Sequence, residues 1–224
     1  IKDPDRGPWI YKDGTLSIRI DLMTSGRAKY LRAEIRTRGP LPAGGFAYQD
    51  PTGRKRALPY LVARQNKAIF AITADFVAHR GNDKGVMIRQ GKVYHDKKKA
   101  PTLAVLPDGE LKAYEPGKVT ARQLQAMGVK DSFAFGPILV SGGKVHKSAR
   151  SHPLRSGNRR SSIGMVEKGH YICIVALGGF TLEGLARLYV QNKCTVAYNL
   201  DGGYSASMVF MGEQLFRAGY NEDF

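Results

Sequence analysis

Residues 196–205, Val-Ala-Tyr-Asn-Leu-Asp-Gly-Gly-Tyr-Ser, begin as an apolar strand and switch abruptly to polar and glycine residues. Such a strand end sets Asn199, Asp201 and Ser205 at a rim. Gly202 and Gly203 there permit unusual backbone angles and close approach to a ligand. The alternative is a tight turn held by an Asx hydrogen bond. A second carboxylate, Asp75, ends the apolar run of residues 67–76. It is either delivered to a site by a buried strand, or it caps a turn or pairs with one of the many basic residues. Ser205 is not in a Gly-x-Ser-x-Gly elbow, so a serine nucleophile is not indicated. The oxygens of Asp75, Asp201 and the backbone would suit a hard cation such as calcium, but no dedicated calcium loop surrounds them. The metal is therefore left unassigned. His79, His95, His146, His152 and His170 lack zinc-type spacing and read as polar loop or surface residues.

The surrounding elements are read mainly as strands. Residues 14–21 and 30–36 alternate apolar and polar positions, and glycine and proline punctuation follows at 38–45 and 50–53. Residues 86–94 and 101–114 read as hairpins, the second turning at Asp108-Gly109. Further strands are expected at 132–140, 161–166, 171–177, 195–200 and 207–210. Thr120 and Gln123 fit a capping box, with Leu124 and Met127 as an apolar stripe and Gly128 as the stop. Thr181 caps a second helix whose apolar face carries Leu182, Leu185, Ala186, Tyr189 and Val190. Strands joined by short turns outnumber helices, which predicts an α+β fold with a large mixed or antiparallel sheet. One domain is expected overall, with the strands of residues 1–60 packed on a core of 61–224.

Four segments, in order, resemble the phosphodiester glycosidases related to the enzyme that uncovers mannose 6-phosphate by removing N-acetylglucosamine. Ile72-Thr73-Ala74-Asp75-Phe76 resembles the family's Asn-Gly-(Asp or Gly)-Phe-Phe strand end. Residues 135–144, Phe-Gly-Pro-Ile-Leu-Val-Ser-Gly-Gly-Lys, resemble its Gly-Pro-x-Leu-Val segment, and Arg160-Ser161-Ser162-Ile163-Gly164 its Arg-Thr-Ala-Ile-Gly strand. The helix opened by Thr181-Leu182 precedes residues 199–205, which are similar to Asn-Leu-Asp-Gly-Gly-Gly-Ser. Thr73 stands where the family usually has Asn, and Tyr204 replaces the third glycine, adding a ring that narrows the pocket or stacks on a sugar.

The resemblance implies a hydrolase of a sugar phosphodiester or related glycosidic linkage. Breaking a sugar C1–O bond passes through a cation-like ring, which a carboxylate stabilises, attacks, or assists by activating water. Asp75 and Asp201 are the candidates, and Arg160 matches the family's arginine, whose planar fork would bind the departing phosphate. Thr73, Asn199, Gly202, Gly203, Tyr204 and Ser205 are the expected substrate contacts, and Arg159 is expected to be an exposed neighbour.

The 35 Lys and Arg against 19 Asp and Glu give a formal charge of +16, which favours polyanions as partners. No nucleic-acid motif is present, so the expected partner is an anionic glycan or sugar phosphodiester, with association to a membrane or cell wall left open. The run 144–160 reads as a mobile basic loop leading into Arg160. Cys173 and Cys194 are expected to be free and buried. The chain opens at Ile1 rather than Met, as a trimmed or processed protein would, and the resemblance implies an extracytoplasmic setting among cell-envelope or secreted glycans such as exopolysaccharide. The rival class is a non-catalytic polyanion- or glycan-binding protein.

Overall fold

The computed structural model describes residues 7–39, 58–75, 85–151 and 158–215, and the backbone but not the side chain of Tyr204. Three antiparallel sheets form its frame. The first strands are β1 (Trp9–Lys12), β2 (Leu16–Ser25), β3 (Ala28–Thr37), β4 (Phe70–Ile72), β5 (Val86–Arg89), β6 (Lys92–Asp96), β7 (Thr102–Val105) and β8 (Leu111–Tyr114). After them come β9 (Asp131–Ala134), β10 (Ile138–Ser141), β11 (Lys144–Val145), β12 (Arg160–Glu167), β13 (His170–Ala176), β14 (Val196–Leu200), β15 (Met208–Phe210) and β16 (Glu213–Leu215). Four short helices intervene among the described residues: α1 (Pro59–Gln65), α2 (Ala121–Ala126), α3 (Lys147–Ser151) and α4 (Leu182–Gln191).

The large sheet has eight strands in the order β1-β2-β3-β13-β12-β14-β10-β11, so the N-terminal hairpin belongs to the same sheet as β10 to β14. Alternation along each strand gives it two buried faces. One carries Ile18, Ile20, Leu31, Tyr171, Tyr198 and Leu200 and packs on a five-stranded sheet, β6-β5-β9-β7-β8, and a three-stranded one, β16-β15-β4. The other carries Ile172, Ile174 and Ala197 and lies under α4, whose Leu182, Leu185, Ala186 and Tyr189 are buried. A third cluster closes α2 over the five-stranded sheet through Val86, Ile88, Ala121 and Leu124.

Local chemistry accounts for most of these elements. The Thr120 side chain accepts the Gln123 N–H while the Gln123 side chain accepts the Thr120 N–H, and Gly128 at φ 77° stops α2. Leu124 is buried, but Met127 stands at the helix end, 40% exposed, outside the expected stripe. Thr181 caps α4 by accepting the Gly184 N–H at 3.0 Å. Residues 86–94 form the expected hairpin, turning at Gln90 and Gly91 with φ of 50° and 82°.

Three further expectations are corrected. Residues 132–140 are not one strand: β9 lies in the five-stranded sheet and β10 in the large one. The break falls at Gly136, whose φ of 92° only glycine adopts readily and whose missing Cβ leaves room for Pro101, and at Pro137, which has no N–H to continue a ladder. The basic run 144–160 is not wholly a loop, since β11 and α3 occupy 144–151. There Ser148 donates to the Ile138 carbonyl at 2.9 Å, pinning α3 to β10. The part at 152–157, with His152 and Arg155, lies outside the described residues, as do Phe76, His79 and the turns expected at 40–45 and 50–53. The expected strand over 67–76 shrinks to β4, leaving Asp75 beyond its end.

Candidate active site

The site grows from one end of the large sheet. Tyr198 of β14 is fully buried, donating its hydroxyl to the Pro101 carbonyl at 2.7 Å and accepting the Phe135 N–H at 3.0 Å, which fixes the strand against the neighbouring sheet. Three residues on, the Asp201 N–H donates to the Ala74 carbonyl at 2.7 Å, tying the exit of β14 to the exit of β4. The Asp201 carboxylate accepts the Gly202 N–H at 2.8 Å and the Ser205 hydroxyl at 2.6 Å. Burial pushes the Asp201 carboxyl above the usual aspartate value of 3.8, and those two hydrogen bonds partly offset the shift. The loop is pinned from the other side, where the Gly203 N–H donates to the Arg159 carbonyl at 2.9 Å. A Cβ on Gly202 would lie 2.5 Å from that same carbonyl oxygen. Gly202→Ala is therefore expected to displace the loop, costing about 1–3 kcal/mol in urea unfolding and lowering activity.

Asp75 is buried and fully engaged. Its carboxylate pairs with the Arg89 guanidinium and accepts the Ala134 N–H at 2.6 Å. Arg89 also donates to the Ile88 carbonyl at 2.9 Å and to the Ser132 carbonyl, and its guanidinium stacks 4.2 Å from the centroid of Phe133. Burial pulls this arginine down to about 10, which leaves it charged at neutral pH. Of the two sequence readings of Asp75, the geometry includes the pairing with a basic residue. Arg89 itself went unnoticed in the sequence, since nothing sets it apart among 35 basic residues. Thr73 joins the two carboxylate loops: its N–H donates to the Ser207 carbonyl at 3.3 Å and its hydroxyl to the Ser205 carbonyl.

Arg160 opens β12 and is only 3% exposed, with burial lowering its pKa. The register Ser161↔Leu200 places Arg160 one step on, beside Asp201. Arg159, expected to be exposed, is half-buried, and its carbonyl is the acceptor that holds Gly203. Asn199 is fully buried and donates through Nδ2 to the Gly136 carbonyl at 2.8 Å, while its Oδ1 has no hydrogen-bond partner among the described residues. Thr73, Asp75, Asn199, Arg160, Asp201, Gly202, Gly203 and Ser205 thus converge on one rim, formed by the β4 exit, the β9–β10 link and the ends of β12 and β14. Among the described residues no group of three or more His, Cys, Asp or Glu gathers in a metal-binding cluster. Cys173 and Cys194 are buried free thiols away from this rim, and burial raises Cys194 to about 12.

The phosphodiester glycosidase family profile matches residues 66–223, the stretch that supplies every one of these groups. The chain belongs to the phosphodiester glycosidase family. Among relatives, the SPbeta prophage-derived uncharacterized protein YomE of Bacillus subtilis (strain 168) is 27% identical over 182 residues, covering 75% of this chain. The chain spans 28% of that relative's length. In fold it is similar to the zebrafish N-acetylglucosamine-1-phosphodiester alpha-N-acetylglucosaminidase catalytic domain auto-inhibited by its pro-peptide. The TM-score is 0.69 at 18% identity, covering 93% of this chain and 76% of that one. A hypothetical protein from Synechocystis matches with TM-score 0.58 and 15% identity, over 95% of this chain and 61% of its own. The family is of glycosidase type, and the chain has an α+β fold.

Proposed function

We propose that this phosphodiester glycosidase family member hydrolyses a sugar-1-phosphodiester or related glycosidic linkage in an anionic cell-envelope or secreted glycan, outside the cytoplasm. The observation that carries the reading is a buried carboxylate, Asp201, with its pKa raised, set beside the buried Arg160 on the rim described above.

The roles follow from residue chemistry. Asp201 takes a proton from water, whose oxygen bonds to the sugar C1 as the bond from C1 to the bridging oxygen of the phosphate breaks. The bonding electrons leave with the phosphate monoester, an anion stable enough to need little protonation, and Arg160 offsets its charge. A base is most useful when its pKa lies near the working pH, which burial of Asp201 favours. Asp75, held by Arg89 and Ala134, keeps a fixed orientation and contributes negative charge toward the cation-like ring. Asn199 and Ser205 hold the loop that meets the sugar.

Release of reducing sugar from a panel of sugar-1-phosphodiesters tests the reading directly. With Asp201 as base, kcat/KM falls as pH drops through its raised pKa, so the acid limb lies above 3.8. The Ser205 hydrogen bond favours the ionised form, so Ser205→Ala should move that limb to higher pH. An unmoved limb would detach Asp201 from the titration.

A second reading is a glycan-binding protein without turnover. It is favoured by Thr73, which occupies the family's Asn position and spends its hydroxyl on the Ser205 carbonyl. Sugar binding without release of product would decide for it.

A further inference from the structure

The end of the large sheet that carries Asp201 does not stop at β12. Arg160 pairs with Ala176 of β13, and Ala176 pairs with Tyr30 of β3, so the strand ends run in an unbroken row from Asp201 to the turn of the β2–β3 hairpin. Past that row an open cleft of about 500 Å³ lies between the hairpin turn, with Arg27 and Lys29, and the β13–α4 connection, Leu177 to Gly179. The Leu177 N–H donates to the Lys29 carbonyl at 2.9 Å, and a Cβ on Gly179 would meet Ala28 at 2.8 Å, so the two walls are seated together.

The lining suits an anion. Neither Arg27 nor Lys29 joins an ion pair among the described residues. Gly178 and Gly179, at φ of 126° and 83°, hold a backbone conformation that side chains disfavour, and their N–H groups donate to no protein acceptor among the described residues. The nearest acid on the adjoining helix, Glu183, is engaged by Arg187 at 2.7 Å. From β12 to β3 is two strand spacings, about 10 Å, which is comparable to a sugar ring with its linkage.

We propose that this cleft is a subsite for a second phosphodiester of the same substrate chain, so that the substrate is a polymer of sugar-phosphate repeats rather than a single diester. The inference rests on the hydrolase reading above, because it takes Asp201 and Arg160 as the place where one repeat is cut.

The test compares a synthetic oligomer of sugar-1-phosphodiester repeats with the single-repeat methyl diester. Parent protein is set beside Arg27→Gln/Lys29→Gln and beside Lys98→Gln/Lys99→Gln, which removes the same charge from exposed positions after β6. Loss of two exposed cation contacts should raise KM for the oligomer about tenfold in the cleft variant. Its kcat and its kinetics on the single repeat should be unchanged, and the control variant should match the parent. Equal losses in both variants, or none in either, overturn the subsite. If the parent cleaves neither compound, the hydrolase reading fails by itself. Equilibrium binding of the labelled oligomer then judges the cleft: affinity about tenfold weaker in the cleft variant upholds it. Equal affinity, or no binding to the parent, removes it.

Discussion

Asp201→Asn is expected to lower turnover of a sugar-1-phosphodiester by roughly a hundred- to ten-thousand-fold, the range removed with a general base. The substitution suits the loop. The Asn carbonyl can accept the Gly202 N–H as Oδ1 does now, and its amide can donate to the Ser205 hydroxyl, which retains the Gly202 carbonyl at 2.8 Å as its own acceptor. Loss of rate would therefore not follow from a collapsed site.

Stability supplies an independent readout of the same residue. The folded protein binds the Asp201 proton more tightly than the unfolded chain does, so ionising this group costs folding free energy. The protein is stabilised at Asp201 below the unfolded value of 3.8, and that contribution is lost as pH rises through the higher folded value. The neutral amide carries no such penalty. Urea unfolding across that interval should show the variant gaining on the parent as pH rises, while its activity is lost throughout. Full activity in Asp201→Asn would remove the residue from the chemistry.

What the sequence made legible was set by how local each determinant is. The caps at Thr120 and Thr181 and the turns at Gln90-Gly91 and Asp108-Gly109 are decided within a few residues, and the elements they bound were readable. The Asp201 loop was readable for the same reason, because strand, carboxylate and glycines are contiguous. The split of residues 132–140 between two sheets was not, although Gly136 and Pro137 are both visible in the chain. Apolar residues on either side hid the break, and only the close approach of Pro101, 35 positions earlier in sequence, shows why a glycine is required there. Arg89 was invisible for a stronger reason. Its partner, Asp75, is 14 residues away, and the carbonyl that anchors it, on Ser132, is 43 away. A buried ion pair is a property of the folded neighbourhood, and with a charge of +16 the chain offers too many cations to choose among.

That pair carries the largest expected effect on stability. In Arg89→Met, Asp75 would keep the Ala134 N–H but face a buried site, its side chain 5% exposed, with no counter-charge from Arg89. The Ser132 and Ile88 carbonyls would lose a donor as well, and Phe133 its stacked guanidinium. Removing one member of such a pair costs about 3–5 kcal/mol, whereas replacing both by neutral groups is often far milder. For a chain of this size each kcal/mol moves the midpoint by about 2–4 °C, so the single variant should melt roughly 6–20 °C below the parent. Asp75→Asn/Arg89→Met should recover much of that loss, because no uncompensated buried charge remains and the Asn carbonyl can still accept from Ala134. A single variant within about 0.5 kcal/mol of the parent would mean that the pair contributes little. The double variant also separates the two functions open to Asp75. If it folds and still releases sugar, the carboxylate serves the rim's architecture alone; if it folds and does not, its negative charge acts on the ring.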